Sequence, residues 1–412
     1  MQKETVLLIP EYSHEIRGSI LQVTQRLLRA AAKREDLHLV VPYPMEGSRW
    51  KNWTPEKWDV ASDNVEFVPV LMDKYSESAL GRVSTDWGKS CFGGRKDYYV
   101  VATMRSTSSV GIRRLFSKPM VGFYPEVINM YLIGGIDYFK ALAADLPDEM
   151  LFNFLHSWNV LYGTEGFASL MRKRLRELFV PTVCKNILDK TAHLSLGVDV
   201  SRLKTVIPKE KPEGQIRIAY GGRLVAEKGV FDYLEIGKRL YEAGLPIEMG
   251  FYFVFDRWGE NTEKLAPFQQ PYTHVAVNAV PIETNFFAYG ASSDLFISTS
   301  KHEAAALAFQ ELLFLGVPGF FLEAEYVKGL VPEGYPYIYK TKSDLYAGVR
   351  DFCNRLQKGE APSYDMRGVP SYIEEQHNRD VCEQRTLDLF VNLSRAKREK
   401  QKVGKICQLL PS

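Results

Sequence analysis

Two successive series of short apolar runs alternating with helix-like stretches, separated by a polar linker, constrain this fold more than any other feature of the chain. The first series opens with Val6–Ile9, a loop over Pro10–Gly18, and helical spacing over Ser19–Lys33 through Ile20, Val23, Leu27, Leu28 and Ala31. Leu37–Val41, Val65–Leu71, Tyr98–Thr103 and Leu151–Leu155 read as further strands of a buried parallel sheet. Residues 160–178 suit a helix and Phe179–Val183 another strand, whereas 74–97, rich in Ser, Gly and Lys, suits a loop and 106–118 favours no element.

Between Asp199 and Gly214 the chain turns polar (KTVIPKEKPEG), which marks a domain boundary. The second series predicts a strand at Ile216–Tyr220, a Gly221-Gly222 turn, and a helix from Val230 to Ala243. Strands are expected at Ile247–Val254, Val275–Val280, Asp294–Ser298 and 319–322, with helices around 307–315 and over 371–393. The expected architecture is therefore α/β, with two doubly wound domains facing a central cleft. Its parts are an N-terminal domain over 1–198, a second over 199–370, and a C-terminal helix with basic tail over 371–412 that packs back on the first.

Length supports two domains, since 412 residues exceed one ordinary core. Apolar residues at 45% and charged residues at 25% exclude a disordered chain, a collagen-like fibre and a coiled coil. With 52 Lys and Arg against 50 Asp and Glu, the net charge of +2 creates no global field that demands nucleic acid or an acidic membrane. The five cysteines are scattered without a C-x-x-C pair, so neither a disulfide framework nor a zinc site is expected, and a reducing cytoplasm fits. The opening apolar run is too short for a signal peptide. Residues 304–322 approach a membrane-spanning length but carry Glu311 near the middle and a Gly316-Val317-Pro318-Gly319 break. That pattern means a buried helix, a turn and a strand. At most, peripheral membrane contact is expected.

Two segments carry chemistry. In Ser300-Lys301-His302-Glu303-Ala304-Ala305-Ala306-Leu307-Ala308-Phe309-Gln310-Glu311, two carboxylates stand in an otherwise apolar run, and burying an unpaired carboxylate is costly. If a helix begins near Ala306, Glu303 lies on the loop before it and Glu311 just over a turn inside. The N–H groups of Ala306 and Leu307 would then face a diphosphate, Glu303 the hydroxyls of a sugar, and Glu311 those of a ribose. A structural ion pair for Glu311 and a helix-start charge for Glu303 is the plainer reading. The second segment, Gly221-Gly222-Arg223-Leu224-Val225-Ala226-Glu227-Lys228-Gly229-Val230, follows a strand directly. Gly222 allows close backbone approach, and Arg223 and Lys228 suit the neutralisation of a departing diphosphate, although basic residues are more often simply solvated.

Together these segments, with Gly197-Val198-Asp199 before the linker and Gly316-Val317-Pro318 after, resemble the retaining GT-B glycosyltransferases of family 4. The resemblance covers most of 199–322. It implies two Rossmann-like domains, a nucleotide-sugar donor held mainly by the second, and metal-independent transfer with no cofactor beyond that donor. By position Arg223 and Lys228 match the family's diphosphate pair, Glu303 its sugar-contacting glutamate and Glu311 its ribose-binding glutamate. His156, at the end of a strand, matches a histidine placed against the donor sugar; a structural histidine at a sheet edge is the alternative. Two departures stand out. The family's E-G-F-G-L is Glu303-Ala304-Ala305-Ala306-Leu307 here, which adds Cβ atoms where glycine permits unusual φ, and its glycine-rich first loop is reduced to Arg17-Gly18-Ser19, of which Gly18 is the donor-side candidate.

The expected activity is retaining transfer of a sugar to a hydroxyl of a glycan or lipid-linked saccharide, with Trp50, Trp53, Tyr124 and Trp158 as candidate platforms. Basic clusters at Arg113-Arg114, at Arg172-Lys173-Arg174 and along the tail motivate a second reading, a DNA glycosyltransferase acting on an extruded hydroxymethylated base. A third reading is a non-catalytic nucleotide-sugar-binding module.

Overall fold

The computed structural model describes residues 3–9, 19–44, 55–70, 98–103, 126–131, 158–254, 262–279, 281–301, 303, 305–360 and 364–400. They form two compact units. The first comprises Met1–Gly163, Leu170–Leu196 and Asp380–Ser412, and the second comprises Thr164–Ser169 and Gly197–Arg379.

The first unit is built on seven parallel strands: β1 (Glu4–Ile9), β2 (Leu37–Pro44), β3 (Val65–Val70), β4 (Tyr98–Thr103), β5 (Glu126–Tyr131), β6 (Trp158–Tyr162) and β7 (Thr191–Leu194). Their order is β3-β2-β1-β4-β5-β6-β7, so the winding reverses between β1 and β4. Helix α1 (Ser19–Ala31) connects β1 to β2 and buries Val23, Leu27, Leu28 and Ala31. That spacing of four apolar residues is what a helix crossing a parallel sheet requires.

Two local expectations need correction. Residues 160–162 finish β6, and helix α2 (Glu165–Leu178) starts only after Thr164, whose hydroxyl accepts the Phe167 N–H at 3.2 Å. Phe179–Val183 is no strand: Pro181 opens helix α3 (Pro181–Asp189), its missing N–H costing nothing in a first turn, and β7 follows instead. The predicted strand Leu151–Leu155 lies outside the described residues, as do 74–97 and 106–118.

On β7, His193 is largely buried with neither ring nitrogen hydrogen-bonded among the described residues. Burial, reinforced by the nearby Arg172, pulls its pKa down to about 4. The unfolded chain takes up this proton near pH 6.5 and the folded chain only near 4, so stability is full above 6.5 and declines as pH falls toward 4. The loss is at most about 3 kcal/mol for such a shift. We expect the urea midpoint to drop between pH 7 and pH 5, and the drop to shrink in His193→Leu. An equal drop in the variant would assign the acid lability elsewhere.

The second unit repeats the plan with β8 (Ile216–Ala219), β9 (Gly221–Arg223), α4 (Val230–Glu242), β10 (Ile247–Val254), β11 (Thr273–Val277), β12 (Leu295–Ser298), α5 (Leu307–Phe314), β13 (Gly319–Leu322), β14 (Ile338–Tyr339) and α6 (Lys342–Gln357). The parallel order is β11-β10-β8-β12-β13-β14. Winding reverses between β8 and β12. Gly221-Gly222 does not form the expected turn. After a break at Tyr220 the chain resumes as β9, pairing Gly221, Gly222 and Arg223 with Tyr252, Phe253 and Val254 of β10. Glycine's small volume lets the chain run on beside its neighbour, which the sequence presents equally well as a turn.

Aromatic residues dominate this core, including Tyr233, Phe251, Phe253, Phe268, Phe296, Phe320 and Phe321, each fully buried and worth about 1.5–3 kcal/mol in transfer alone. Most of the apolar stretch 306–322 is part of it, and among the described residues no helix is long and apolar enough to cross a membrane. The predicted helix 371–393 is two helices, α7 (Gly368–His377) and α8 (Arg379–Arg398). Asn378 leaves the helical path and bridges Val198, whose N–H donates to the His377 carbonyl and whose carbonyl accepts from Arg379. Within the first unit α8 meets β1. Ser394 and Arg398 bind the buried Glu4 carboxylate at 2.9 Å and 2.8 Å, and Asp388 pairs with Arg34 at 2.6 Å.

Candidate functional site

In doubly wound sheets ligands sit beyond the carboxyl ends of the strands where the winding reverses. In the second unit those strands are β8 with its continuation β9, and β12. The residues beyond them are the two segments singled out by their charge pattern.

Three contacts stitch these segments together. The Lys301 N–H donates to the Glu227 carbonyl at 3.0 Å, the Thr299 hydroxyl to the Gly229 carbonyl at 2.7 Å, and Lys228 Nζ pairs with Glu303 Oε2 at 2.6 Å. Gly229 makes this approach feasible. Its φ of +66° suits glycine, and a Cβ there would collide with the Thr299 carbonyl. Glu303 is held twice, since Ser300 Oγ donates to its Oε1 at 3.0 Å. The Lys228 and Glu303 side chains are each only 14% exposed, so their attraction is weakly screened but each keeps an outlet to solvent.

Tyr220 joins the cluster from below. Its hydroxyl donates to the Arg223 carbonyl at 3.3 Å. Burial first, and then the neighbouring Glu303 carboxylate, push the phenol well above its ordinary range, while Arg223 acts in the opposite sense. Tyr326 is raised likewise, chiefly by burial, although its 2.6 Å hydrogen bond with Ser298 opposes the shift; Glu303 again adds to it. One carboxylate therefore lies within electrostatic reach of two buried phenols, and both stay neutral hydrogen-bonding groups at physiological pH.

Helix α5 begins at Leu307, with Ala306 as its N-cap at φ 51° and ψ 37° and no side-chain cap. The left-handed conformation is uncommon for alanine. It falls at the second of the positions where the resemblance leads one to expect glycine. The Ala306 carbonyl accepts the N–H groups of Phe309 and Gln310. The first-turn donors of Leu307 and Ala308 have no partner inside the helix, which is what makes a helix start attractive to an anion. Glu311 sits one turn in and is half-buried.

Of the residues predicted from sequence, the structure thus brings together Lys228, Glu303 and the Arg223 backbone, with Gly222 on β9 and Ala306, Leu307 and Glu311 at or inside the start of α5. Arg223 itself is exposed. His156 and Gly18 lie outside the described residues, as do Trp50, Trp53, Tyr124, Arg113 and Arg114 and the side chain of Arg174. Ser300, Tyr220, Tyr326 and Gln310 were missed. Ser300, three residues before Glu303, carried a signal; the others depend on contacts distant in sequence.

No protein-family model and no curated protein matches the sequence. Solved structures do. A sucrose-phosphate synthase from Thermosynechococcus elongatus matches with a TM-score of 0.65 at 12% identity, over 96% of this chain and 100% of that one. The lipopolysaccharide outer core galactosyltransferase WaaB, in its apo form, matches at 0.62 and 13% identity over 96% and 99%. Anabaena HepE in complex with UDP and glucose matches at 0.61 and 12% over 94% and 98%. These likenesses establish the fold as GT-B, with two Rossmann-like units.

Proposed function

We propose that this GT-B chain is a glycosyltransferase that moves a sugar from a nucleoside-diphosphate donor to a hydroxyl acceptor, with retention at the anomeric carbon and without a metal. The observation that carries the reading is the Lys228–Glu303 pair, which unites the cationic and the acidic segment beside the reversal point of the second sheet. HepE, a structure of the same fold, was solved in complex with UDP-glucose, which supports a donor of this class.

In this reading Lys228, Arg223 and the start of α5 stabilise charge as the anomeric C–O bond to diphosphate breaks. The acceptor oxygen attacks from the same face, and its proton passes to the departing phosphate oxygen, so no separate base is required. Glu303 accepts from sugar hydroxyls and Glu311 from the ribose. By the resemblance His156 and Gly18 also contact the donor, and the acceptor is a glycan or lipid-linked saccharide. Cytoplasmic action fits Cys184, Cys353 and Cys382, which are all free and buried.

Calorimetry with UDP, GDP, ADP and CDP tests the donor assignment. At least one should bind in the millimolar range or tighter, and silence from all four defeats it. Metal independence follows from the lack of a D-x-D motif and from cations already in place. Transfer should survive excess EDTA; abolition by EDTA with rescue by Mn²⁺ would reverse that part of the proposal.

A further inference from the structure

One polar side chain in the wall of this site has no role in the mechanism above. Gln310 lies on α5, whose Phe309, Leu312 and Leu313 are also buried, and is itself fully buried. Its Nε2 donates to the Ala305 carbonyl at 2.6 Å, and its Oε1 has no partner among the described residues. A buried amide with one unsatisfied oxygen destabilises a fold relative to an apolar side chain of similar size. Among the described residues, its side chain bonds to the residue that precedes the left-handed Ala306. Alanine resists that conformation; glycine would not.

We propose that Gln310 is a positioning residue, clamping Ala305 so that Ala306 holds the left-handed turn which aims the start of α5 and the Glu303 loop at the donor. The second half of this statement rests on the sugar-transfer reading. The loop is pinned at both ends, at Glu303 by Lys228 and Ser300 and at Ala305 by Gln310. Directly after the second of those points comes Ala306, at a position that the resemblance assigns to glycine. The clamp thus substitutes an external hydrogen bond for glycine's intrinsic freedom.

The test uses full-length Gln310→Met, with Gln310→Leu in reserve should Met fail to fold, alongside Ala306→Gly and the double variant. Hydrogen exchange of the 301–309 segment reads the clamp directly. Exchange in Gln310→Met should speed about tenfold and return toward wild type in the double variant, because glycine needs no clamp. Turnover of the wild-type donor should fall at least tenfold in the single variant, with nucleoside-diphosphate Kd changed less than threefold, and recover in the double. Unchanged exchange in Gln310→Met, or no recovery with Ala306→Gly, overturns the clamp. If wild-type protein binds no nucleotide, the sugar-transfer reading falls while the exchange data still decide the clamp.

Discussion

Replacing Glu303 with glutamine is expected to cut transfer about 100-fold or more while tightening the binding of the bare nucleoside diphosphate. Under the proposed function the carboxylate has two roles that oppose each other. Toward the sugar it would be an acceptor, and loss of one such polar contact commonly costs about 10²–10³ in turnover. Toward Lys228 it is a competitor, since its Oε2 already occupies the ammonium at 2.6 Å where a diphosphate would bind. Glutamine keeps the shape and can still accept from Ser300 but carries no charge. The lysine then meets the diphosphate without a rival anion, a gain of about 1 kcal/mol, or roughly fivefold in Kd. Calorimetry beside donor-transfer assays reads both effects. Weakened nucleotide binding would show instead that Glu303 orients Lys228 for the phosphates, and the idea of competition would be wrong.

The second large effect concerns Gly229. Alanine there meets two obstacles: a φ of +66°, which costs about 1–2 kcal/mol for a residue with a Cβ, and the Thr299 carbonyl directly in the path of that Cβ. The only relief is to separate the two segments, which breaks the Thr299–Gly229 and Lys301–Glu227 hydrogen bonds and pulls Lys228 from Glu303. We expect Gly229→Ala to lose about 3 kcal/mol or more, and nucleotide binding with it. Gly244 provides the control, with a φ of +81° but open space around its Cβ position, so Gly244→Ala should lose only the conformational part. Equal urea midpoints for the two variants would mean that the segments are not tightly docked.

Much of the fold is legible in sequence for a physical reason. Strands in the middle of a parallel sheet read as near-continuous apolar runs, so Tyr98–Thr103 and, Glu248 apart, Ile247–Val254 announce themselves with their bounds. Elements fail to announce themselves where local chemistry is ambiguous. The β-branched, aromatic run around Pro181 suits a strand until the proline is recognised as a helix start. Neither Glu126–Tyr131 nor Lys342–Gln357 is among the expected elements; the first has no clear pattern, whereas the second carries helical spacing through Leu345, Val349, Phe352 and Cys353 and a cap from Thr341, whose hydroxyl accepts the Asp344 N–H. The same division holds for the candidate site. Charges and glycines at a strand end mark Arg223, Lys228 and Glu303 locally. Nothing local marks Tyr220 or Gln310, because what distinguishes them is the burial created by the completed fold.

The contact between α8 and β1 also bears on how the chain is made. Glu4 precedes its side-chain partner Ser394 by 390 positions, and Arg398 follows later still. While the intervening chain is being made, β1 must either stay open to water or bury a carboxylate with neither partner, which costs several kcal/mol. The first unit therefore cannot be completed until most of the second has been made.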